Sequence, residues 1–148
     1  MSRVYGTSVA VGGEGILLRG ASGSGKSDLA LRLLDQGAKL VADDQTALDR
    51  VGATLEMSAP PELAGLIEVR GLGIVRVPYV PRACLRLVVD LAAADAIDRL
   101  PEPRSCTLEG LSFPLLALDP FAASAPAKLR LALEALAAPS LAGAFAPS

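Results

Sequence analysis

The chain contains no histidine, which removes the commonest general base and the commonest transition-metal ligand from consideration. Tryptophan is also absent and aromatic residues make up 3% of the chain, so leucine, valine, isoleucine and alanine must form the core. The two cysteines, Cys84 and Cys106, are too few for a disulfide framework and lack the spacing of zinc ligands. We therefore expect core or half-buried thiols in a reducing cytoplasm.

The sequence also lacks a run of charge of one sign and a long apolar segment. The net charge of −2 comes from interspersed acidic and basic residues, which argues against nucleic acid as a partner. A charge or a proline interrupts every apolar stretch well before the roughly 18 residues of a membrane-spanning helix, and no signal peptide is recognisable. The length of 148 residues suits one domain, which we expect over residues 1–138, followed by a flexible tail over 139–148.

The strongest chemical signal is the segment 20–27, which fits the phosphate-binding pattern G-x-x-x-x-G-K-[ST]. Its glycines let the backbone curl so that N–H groups point at phosphate oxygens. Lys26 adds a positive charge for the β- and γ-phosphates, and Ser27 offers a hydroxyl to Mg²⁺. The predicted nucleotide-binding residues are Gly20, Ala21, Ser22, Gly23, Ser24, Gly25, Lys26 and Ser27.

The surroundings of this loop match what a true phosphate-binding loop requires. Residues 15–19 form a short apolar run of strand length, and residues 27–36 read as a helix that ends at Gly37. Within that helix Asp28 precedes Arg32 by four residues, which is the spacing of a helical ion pair. Strand, loop and helix together favour a functional loop over a chance glycine-rich turn.

The rest of the chain predicts more strands and a second long helix. A strand over 38–42 completes a strand–helix–strand unit, right-handed by default, and we predict an α/β fold in which a mixed sheet containing the phosphate-binding loop is flanked by helices. The other predicted strands cover 5–11, two short segments within 46–57, the region from 67 to 77, 85–91 and one or two segments within 107–118. The other predicted helical segments cover 62–66, 92–99 and 126–138.

Two acidic residues, Asp43 and Asp44, follow the strand over 38–42. The carboxyl end of a strand beside a phosphate-binding loop is where α/β folds place ligands. In such enzymes an acid there either anchors Mg²⁺ or handles the proton of the attacking hydroxyl. The alternative is a solvated Asp-Asp turn, which the nearby phosphate-binding loop makes less favourable.

A second candidate segment contains Glu68 and Arg70, which would face the same side of an extended strand. Glycines at 71 and 73 allow close approach of the backbone to a ligand. The segment could form a second wall of a phosphate site, or it could be a solvated strand edge with a glycine turn.

Taken together, residues 20–28, 37–44 and 67–74 resemble the HPr kinase/phosphorylase family, specifically its catalytic C-terminal domain. Three motifs in order are more specific than one loop, and the resemblance extends over about 4–136. It implies a Mg²⁺-dependent kinase that transfers a phosphoryl group from ATP to a serine of HPr, the phosphocarrier protein of the sugar phosphotransferase system. The usual N-terminal domain is not recognised, as in short forms found in some proteobacteria.

The resemblance also implies roles for individual residues. Asp44 would take the proton of the serine and Lys26 would contact the transferring phosphate. Ser27 and Glu68 would be ligands of Mg²⁺, and we expect Asp43 to share in holding the metal.

Further roles rest on weaker matches. Residues 98–100 are similar to a family segment whose arginine belongs to the active site, which implies a catalytic role for Arg99. Arg70 and Gly71 would lie against the substrate. Tyr5 stands where the family often has a histidine, and it could hydrogen-bond a phosphoserine but could not act as a base. The family's late basic loop has no counterpart after Pro114, so we expect kinase activity rather than dephosphorylation.

Two other functions stay open at this point. One is a small-molecule kinase or ATPase with the same loop, against which the lack of an arginine-rich lid argues. The other is a non-catalytic module that senses ATP, against which the intact Lys26, Ser27 and Asp44 argue. Because family members are often hexamers, the resemblance also implies a homo-oligomer.

Overall fold

The computed structural model describes residues 2–138, which form eleven strands and two α-helices. The predicted tail over 139–148 lies outside the described residues. The strands are β1 (Ser2–Tyr5), β2 (Thr7–Val11), β3 (Glu14–Arg19), β4 (Lys39–Ala42), β5 (Gln45–Val51), β6 (Thr54–Ser58), β7 (Leu66–Val69), β8 (Gly73–Arg76), β9 (Ala83–Leu91), β10 (Arg104–Leu108) and β11 (Leu111–Leu118). The helices are α1 (Lys26–Asp35) and α2 (Ala125–Ala137), and single 3₁₀ turns cover Pro61–Leu63 and Ala94–Ala96.

The part of the sheet that positions the site has the spatial order β4, β2, β3, β9, β11. Strands β3, β9 and β11 are parallel neighbours, whereas β2 runs antiparallel between β3 and β4. The carboxyl ends of β3, β4, β9 and β11 therefore lie at the same edge of the sheet. This is the edge at which α/β folds bind ligands.

Strand β9 joins this part of the sheet to a second, antiparallel part. Its first residues pair with β6, which continues through β5 to β1. Its later residues pair with β3 on one side and with β11 on the other. Strands β7 and β8 form a separate two-stranded hairpin.

Two apolar clusters cover the two faces of the central strands. Both helices pack on one face through Leu29, Leu33 and Leu129, together with Ile16 of β3. Leu17 of β3 points to the other cluster, which lies beneath β5 and β6. The alternation along β3 explains why its sequence is continuously apolar, because both of its faces are buried. The predicted α/β fold is therefore confirmed, with both helices on one face.

The predicted strand over 5–11 differs from the structure, which divides it at Gly6 into β1 and β2. A Cβ on Gly6 would lie 2.8 Å from Leu17 Cδ1 and 2.9 Å from the Leu18 carbonyl oxygen, so the chain passes too close to β3 for any other residue. Tyr5 consequently pairs with Gln45 of β5 and does not continue β2.

The predicted helix over 92–99 is wrong, since only the 3₁₀ turn at Ala94–Ala96 forms there. The Ala92 N–H donates to the Leu118 carbonyl and extends the pairing of β9 with β11. Ala93 and Ile97 are in extended conformations on either side of the turn. These sheet contacts outweigh the helical preference of an alanine-rich segment. None of the helices within residues 2–138 is long and apolar enough to cross a membrane.

Candidate active site

The phosphate-binding loop lies between β3 and α1 at the carboxyl edge of the sheet. Gly25 has φ of 103°, a left-handed conformation that glycine adopts without strain, and α1 begins at the next residue. The N-cap residue of α1 is Gly25, and within residues 2–138 no side-chain hydrogen bond caps this end of the helix. The backbone geometry is that of a loop open to an anion.

Lys26 is buried inside this loop, with 6% of its surface exposed. Its Nζ donates to the carbonyl oxygens of Gly20 at 2.7 Å and Ala21 at 3.0 Å. Within residues 2–138 no carboxylate forms an ion pair with it. Because a buried charge without an opposite charge beside it is costly, this ammonium group suits an anionic ligand. The buried hydroxyl of Ser24 also has no hydrogen-bond partner in the described chain.

Asp43 joins three elements around the loop. Its Oδ1 accepts hydrogen bonds from Ser27 Oγ at 2.7 Å and from Thr7 Oγ1 at 2.9 Å. Its Oδ2 accepts the backbone N–H of Glu68 at 2.9 Å. One buried carboxylate thus connects β2, α1 and the β7–β8 hairpin.

Asp44 differs from its neighbour in conformation and exposure. Its φ is 68°, the left-handed region that aspartate and asparagine tolerate better than most residues, and its side chain is exposed. Its N–H donates to Thr7 Oγ1 at 3.3 Å, and its carbonyl accepts the Gly6 N–H at 2.8 Å. The turn separates the two carboxylates into a buried one beside Ser27 and an exposed one at the surface.

Thr7 was not predicted as a site residue, although it contacts both members of the acidic pair. It is fully buried, and its hydroxyl donates to Asp43 while accepting the N–H of Asp44. A signal was present in the sequence, since two hydroxyl residues, Thr7 and Ser8, interrupt an otherwise apolar strand. Ser8 forms a buried hydrogen bond of 2.9 Å with Thr46.

The donor set around Ser27 suits magnesium. Ser27 Oγ and Asp43 provide adjacent oxygen atoms, and Mg²⁺ is held by one or two protein oxygens together with water and phosphate oxygens. The side chain of Glu68 is exposed on β7, while its backbone contacts Asp43. The described residues contain no group of three or more His, Cys, Asp or Glu side chains that could hold a metal alone.

The remaining predicted residues lie around the loop at different places. Arg70 is not in an extended strand as predicted, because it occupies with Gly71 the tight turn between β7 and β8, closed by the Leu72 N–H on the Val69 carbonyl. Tyr5 is exposed at the end of β1, opposite the residue that follows Asp44. Arg99 is exposed in the segment between β9 and β10, on the other side of β3 from β4, and no ion pair or hydrogen bond of its side chain occurs within residues 2–138.

The segment after β11 contacts the phosphate-binding loop on the side of β3 that faces away from β4. A Cβ on Gly25 would lie 3.1 Å from Pro120 Cγ and 3.2 Å from Phe121 Cζ. Arg32 of α1 holds this segment by donating to the carbonyls of Pro120 and Ala122. The Nε of Arg32 also donates to Asp28 at 3.2 Å, which confirms the predicted ion pair within the helix.

An ion pair fixes the strand that leads into the loop. Arg19 Nε and Nη2 donate to the two oxygens of Asp90 at 2.7 and 3.1 Å, which joins the ends of β3 and β9. These hydrogen bonds to Asp90 raise the pKa of Arg19 above its ordinary value. Nearby, burial raises the pKa of the Cys106 thiol, an effect that Arg19 partly opposes.

The two cysteines are expected to react with iodoacetamide at different rates. Cys106 is half-buried as predicted, but Cys84 is exposed, because it points outward from β9 between two buried residues. A raised pKa leaves less thiolate at about pH 8, so Cys84 should be alkylated first. Peptide mass spectrometry over time measures this, with Cys84→Ser and Cys106→Ser to assign the rates. Equal rates would contradict the expected order.

Comparison with known proteins identifies a family that this chain matches. A family model described as the HPr Serine kinase C-terminal domain matches residues 1–100. The HPr kinase/phosphorylase of Neisseria meningitidis serogroup C is 43% identical over 89 residues, which cover 55% of this chain and 28% of that protein. The HPr kinase/phosphorylase of Clostridium tetani is 47% identical over 77 residues, which cover 52% of this chain and 25% of that protein. The chain therefore spans about a quarter of the length of these relatives.

A solved structure shares the fold over most of the chain. The Hpr(Ser) kinase/phosphatase of Coxiella burnetii superposes with a TM-score of 0.80 and covers 90% of this chain and 95% of that one. Sequence identity in this comparison is 24%, so it supports the α/β architecture described above.

Proposed function

The chain belongs to the family of HPr serine kinase C-terminal domains, and from this membership we propose that it is an ATP- and Mg²⁺-dependent kinase that phosphorylates a serine of HPr. The observation that carries the proposal is the ammonium group of Lys26, which is buried among the carbonyls of the phosphate-binding loop and has no carboxylate partner in the part of the chain that the structure describes. Ser27 and Asp43 lie beside it with oxygens suited to magnesium. The negative charge of a triphosphate would pair with the Lys26 ammonium group, and the Mg²⁺ bound to it would pair with the Asp43 carboxylate.

In this proposal the residues mainly position groups and stabilise charge, since phosphoryl transfer asks little covalent chemistry of a protein. The N–H groups of the loop and Lys26 would bind phosphate oxygens, and Ser27 and Asp43 would hold Mg²⁺. When bound, ATP would supply the phosphoryl group and the metal would neutralise the charge that develops on its oxygens. Asp44, exposed next to the buried Asp43, accepts the proton of the attacking serine.

Residues around the rim complete the proposed site. Glu68 is exposed on β7, whose backbone is bound to Asp43, and we assign it as a further magnesium ligand. Arg70 and Gly71 at the hairpin turn face the acceptor protein, and Tyr5 lies near Asp44. We assign a catalytic role to Arg99, which is exposed in the segment that follows β9, because the family resemblance places an active-site arginine there.

Transfer to HPr is expected with γ-labelled ATP, magnesium and purified HPr. Label should appear on HPr and should be absent from an HPr variant whose acceptor serine is alanine. Label found only in free phosphate or in a small metabolite would support an ATPase or small-molecule kinase. Tight ATP binding without turnover would support an ATP-sensing module.

The assembly and location proposed here also follow from the family. We infer a homo-oligomer, for which the hexamer is the family's frequent form, in the cytoplasm where ATP and HPr are available. Light scattering of the purified protein measures the assembly, and a monomer at working concentration would contradict it.

A further inference from the structure

The order of strands in the sheet indicates in which direction the proposed nucleotide would extend from the phosphate-binding loop. Asp43 and Asp44 follow β4 on one side of the phosphate-binding strand β3, and β9 and β11 lie on the other side. If the terminal phosphate lies at Asp44, as the proposed function requires, the rest of the nucleotide extends away from β4. On that side, Leu91 of β9 lies beside Gly20 of the loop, and the segment after β11 lies beside Gly25 through Pro120 and Phe121.

Phe121 in this segment has features of a binding residue. It is 71% exposed, although the chain has only three phenylalanines, and its ring edge lies beside Gly25 of the loop. Single exposed apolar side chains are common on protein surfaces, so the informative feature of Phe121 is its position beside the phosphate-binding loop. Because the ring lies next to the phosphate-binding loop, we expect it to contact a ligand bound there.

The segment that carries Phe121 is fixed in place by polar contacts. The Phe121 N–H donates to Asp119 Oδ1 at 3.0 Å, and Arg32 donates to the carbonyls of Pro120 and Ala122. Pro120 is buried against Gly25. Because the backbone on both sides is held to α1, the ring is presented at the rim of the loop before any ligand arrives.

We propose that Phe121 is the stacking surface for the purine base of the bound nucleotide. An aromatic side chain binds a base through its face, and the ring of Phe121 is largely open to solvent. This assignment rests on the proposed function, since it requires a nucleotide in the phosphate-binding loop. It gives the protein a contact with the base in addition to those with the phosphates.

Phe121→Ala should weaken Mg-ATP binding by roughly tenfold or more, the size of a lost base–aromatic stack. Binding of Mg-tripolyphosphate, which has no base, should change less than about twofold because Lys26 and the loop are intact. Calorimetry measures both ligands. Leu131→Ala, which removes another exposed apolar side chain (65%) on α2, is the matched control and should alter neither affinity.

The outcomes separate the two proposals. If Phe121→Ala binds ATP as the unmodified protein does, the stacking role is refuted while nucleotide binding stands. If it loses ATP and tripolyphosphate equally, Phe121 supports the shape of the loop and does not bind the base. If the unmodified protein binds neither ligand, the proposed kinase function fails first, and the base contact with it.

A second variant gives an optical signal at the same position. The chain has no tryptophan, so Phe121→Trp introduces a single tryptophan at the rim of the loop, which can be excited apart from the two tyrosines. Its emission should change on addition of Mg-ATP and stay constant with Mg-tripolyphosphate. Val51→Trp, at an exposed position on β5, is the control and should respond to neither. A Phe121→Trp signal that responds equally to both ligands would overturn the proposal.

Discussion

Replacing Asp44 with asparagine is expected to lower the rate of phosphoryl transfer to HPr by about 100- to 10,000-fold, the usual contribution of a general base. Asparagine keeps the size of the side chain but cannot accept the serine proton as a carboxylate does. The substitution suits this position, because Asp44 has φ of 68° and asparagine adopts that conformation as readily as aspartate does. The N–H contact with Thr7 belongs to the backbone and is retained.

The Asp44→Asn experiment needs two measurements, the single-turnover rate of transfer and the affinity for Mg-ATP. The affinity should stay within about threefold, since Lys26, Ser27 and Asp43 are unchanged. Asp49→Asn, which alters an exposed carboxylate on β5, is the control and should transfer at the normal rate. A fully active Asp44→Asn protein would assign the base to another residue.

Lys26→Met should abolish detectable transfer and weaken ATP binding by at least about 100-fold, because the charge that faces the phosphates is removed. The effect on stability should be the opposite of that for an ordinary buried contact. Lys26 has no carboxylate partner within residues 2–138, so an apolar side chain of similar length removes the desolvation cost of a buried charge, which we expect to outweigh the loss of its hydrogen bonds to the Gly20 and Ala21 carbonyls. The free protein should therefore unfold at the same temperature or higher.

Thermal unfolding with and without Mg-ATP tests both parts of the Lys26→Met prediction. The unmodified protein should be stabilised by the ligand, and the variant should not. Lys39→Met, at an exposed position on β4, should behave as the unmodified protein. A large fall in the unfolding temperature of free Lys26→Met protein would mean that the lysine serves the fold and not a ligand.

The parts of the fold that could be predicted from sequence are those determined locally. The strand, loop and helix from β3 to α1 are encoded by adjacent residues, and Asp43 follows the next strand directly. Helix α2 was also predicted closely, because its apolar residues recur with helical spacing over Ala125–Ala137. In each case a short segment contains the whole signal.

The parts that sequence did not predict depend on residues far apart in the chain. Thr7 reaches Asp43 across 36 positions, and Arg32 holds the Pro120 carbonyl across 88. The two hydroxyl residues in the apolar strand β2 mark Thr7 as unusual, but no local pattern indicates which distant residue it contacts. The predicted helix over 92–99 was wrong for a related reason, because pairing of Ala92 with β11 is non-local.

The hairpin of β7 and β8 shares no strand pairing with the large sheet, and an isolated two-stranded ribbon is only marginally stable in water. Its backbone is attached through the Glu68 N–H to Asp43, while Ile67 anchors it in the core. Amide hydrogen exchange measures local opening of this hairpin. We expect that opening to depend on whether the Asp43 carboxylate keeps its hydrogen bond with the Glu68 N–H. Under the proposed function, Mg-ATP bound at Ser27 and Asp43 is therefore expected to change the hydrogen-exchange protection of the hairpin that we assign to the acceptor protein.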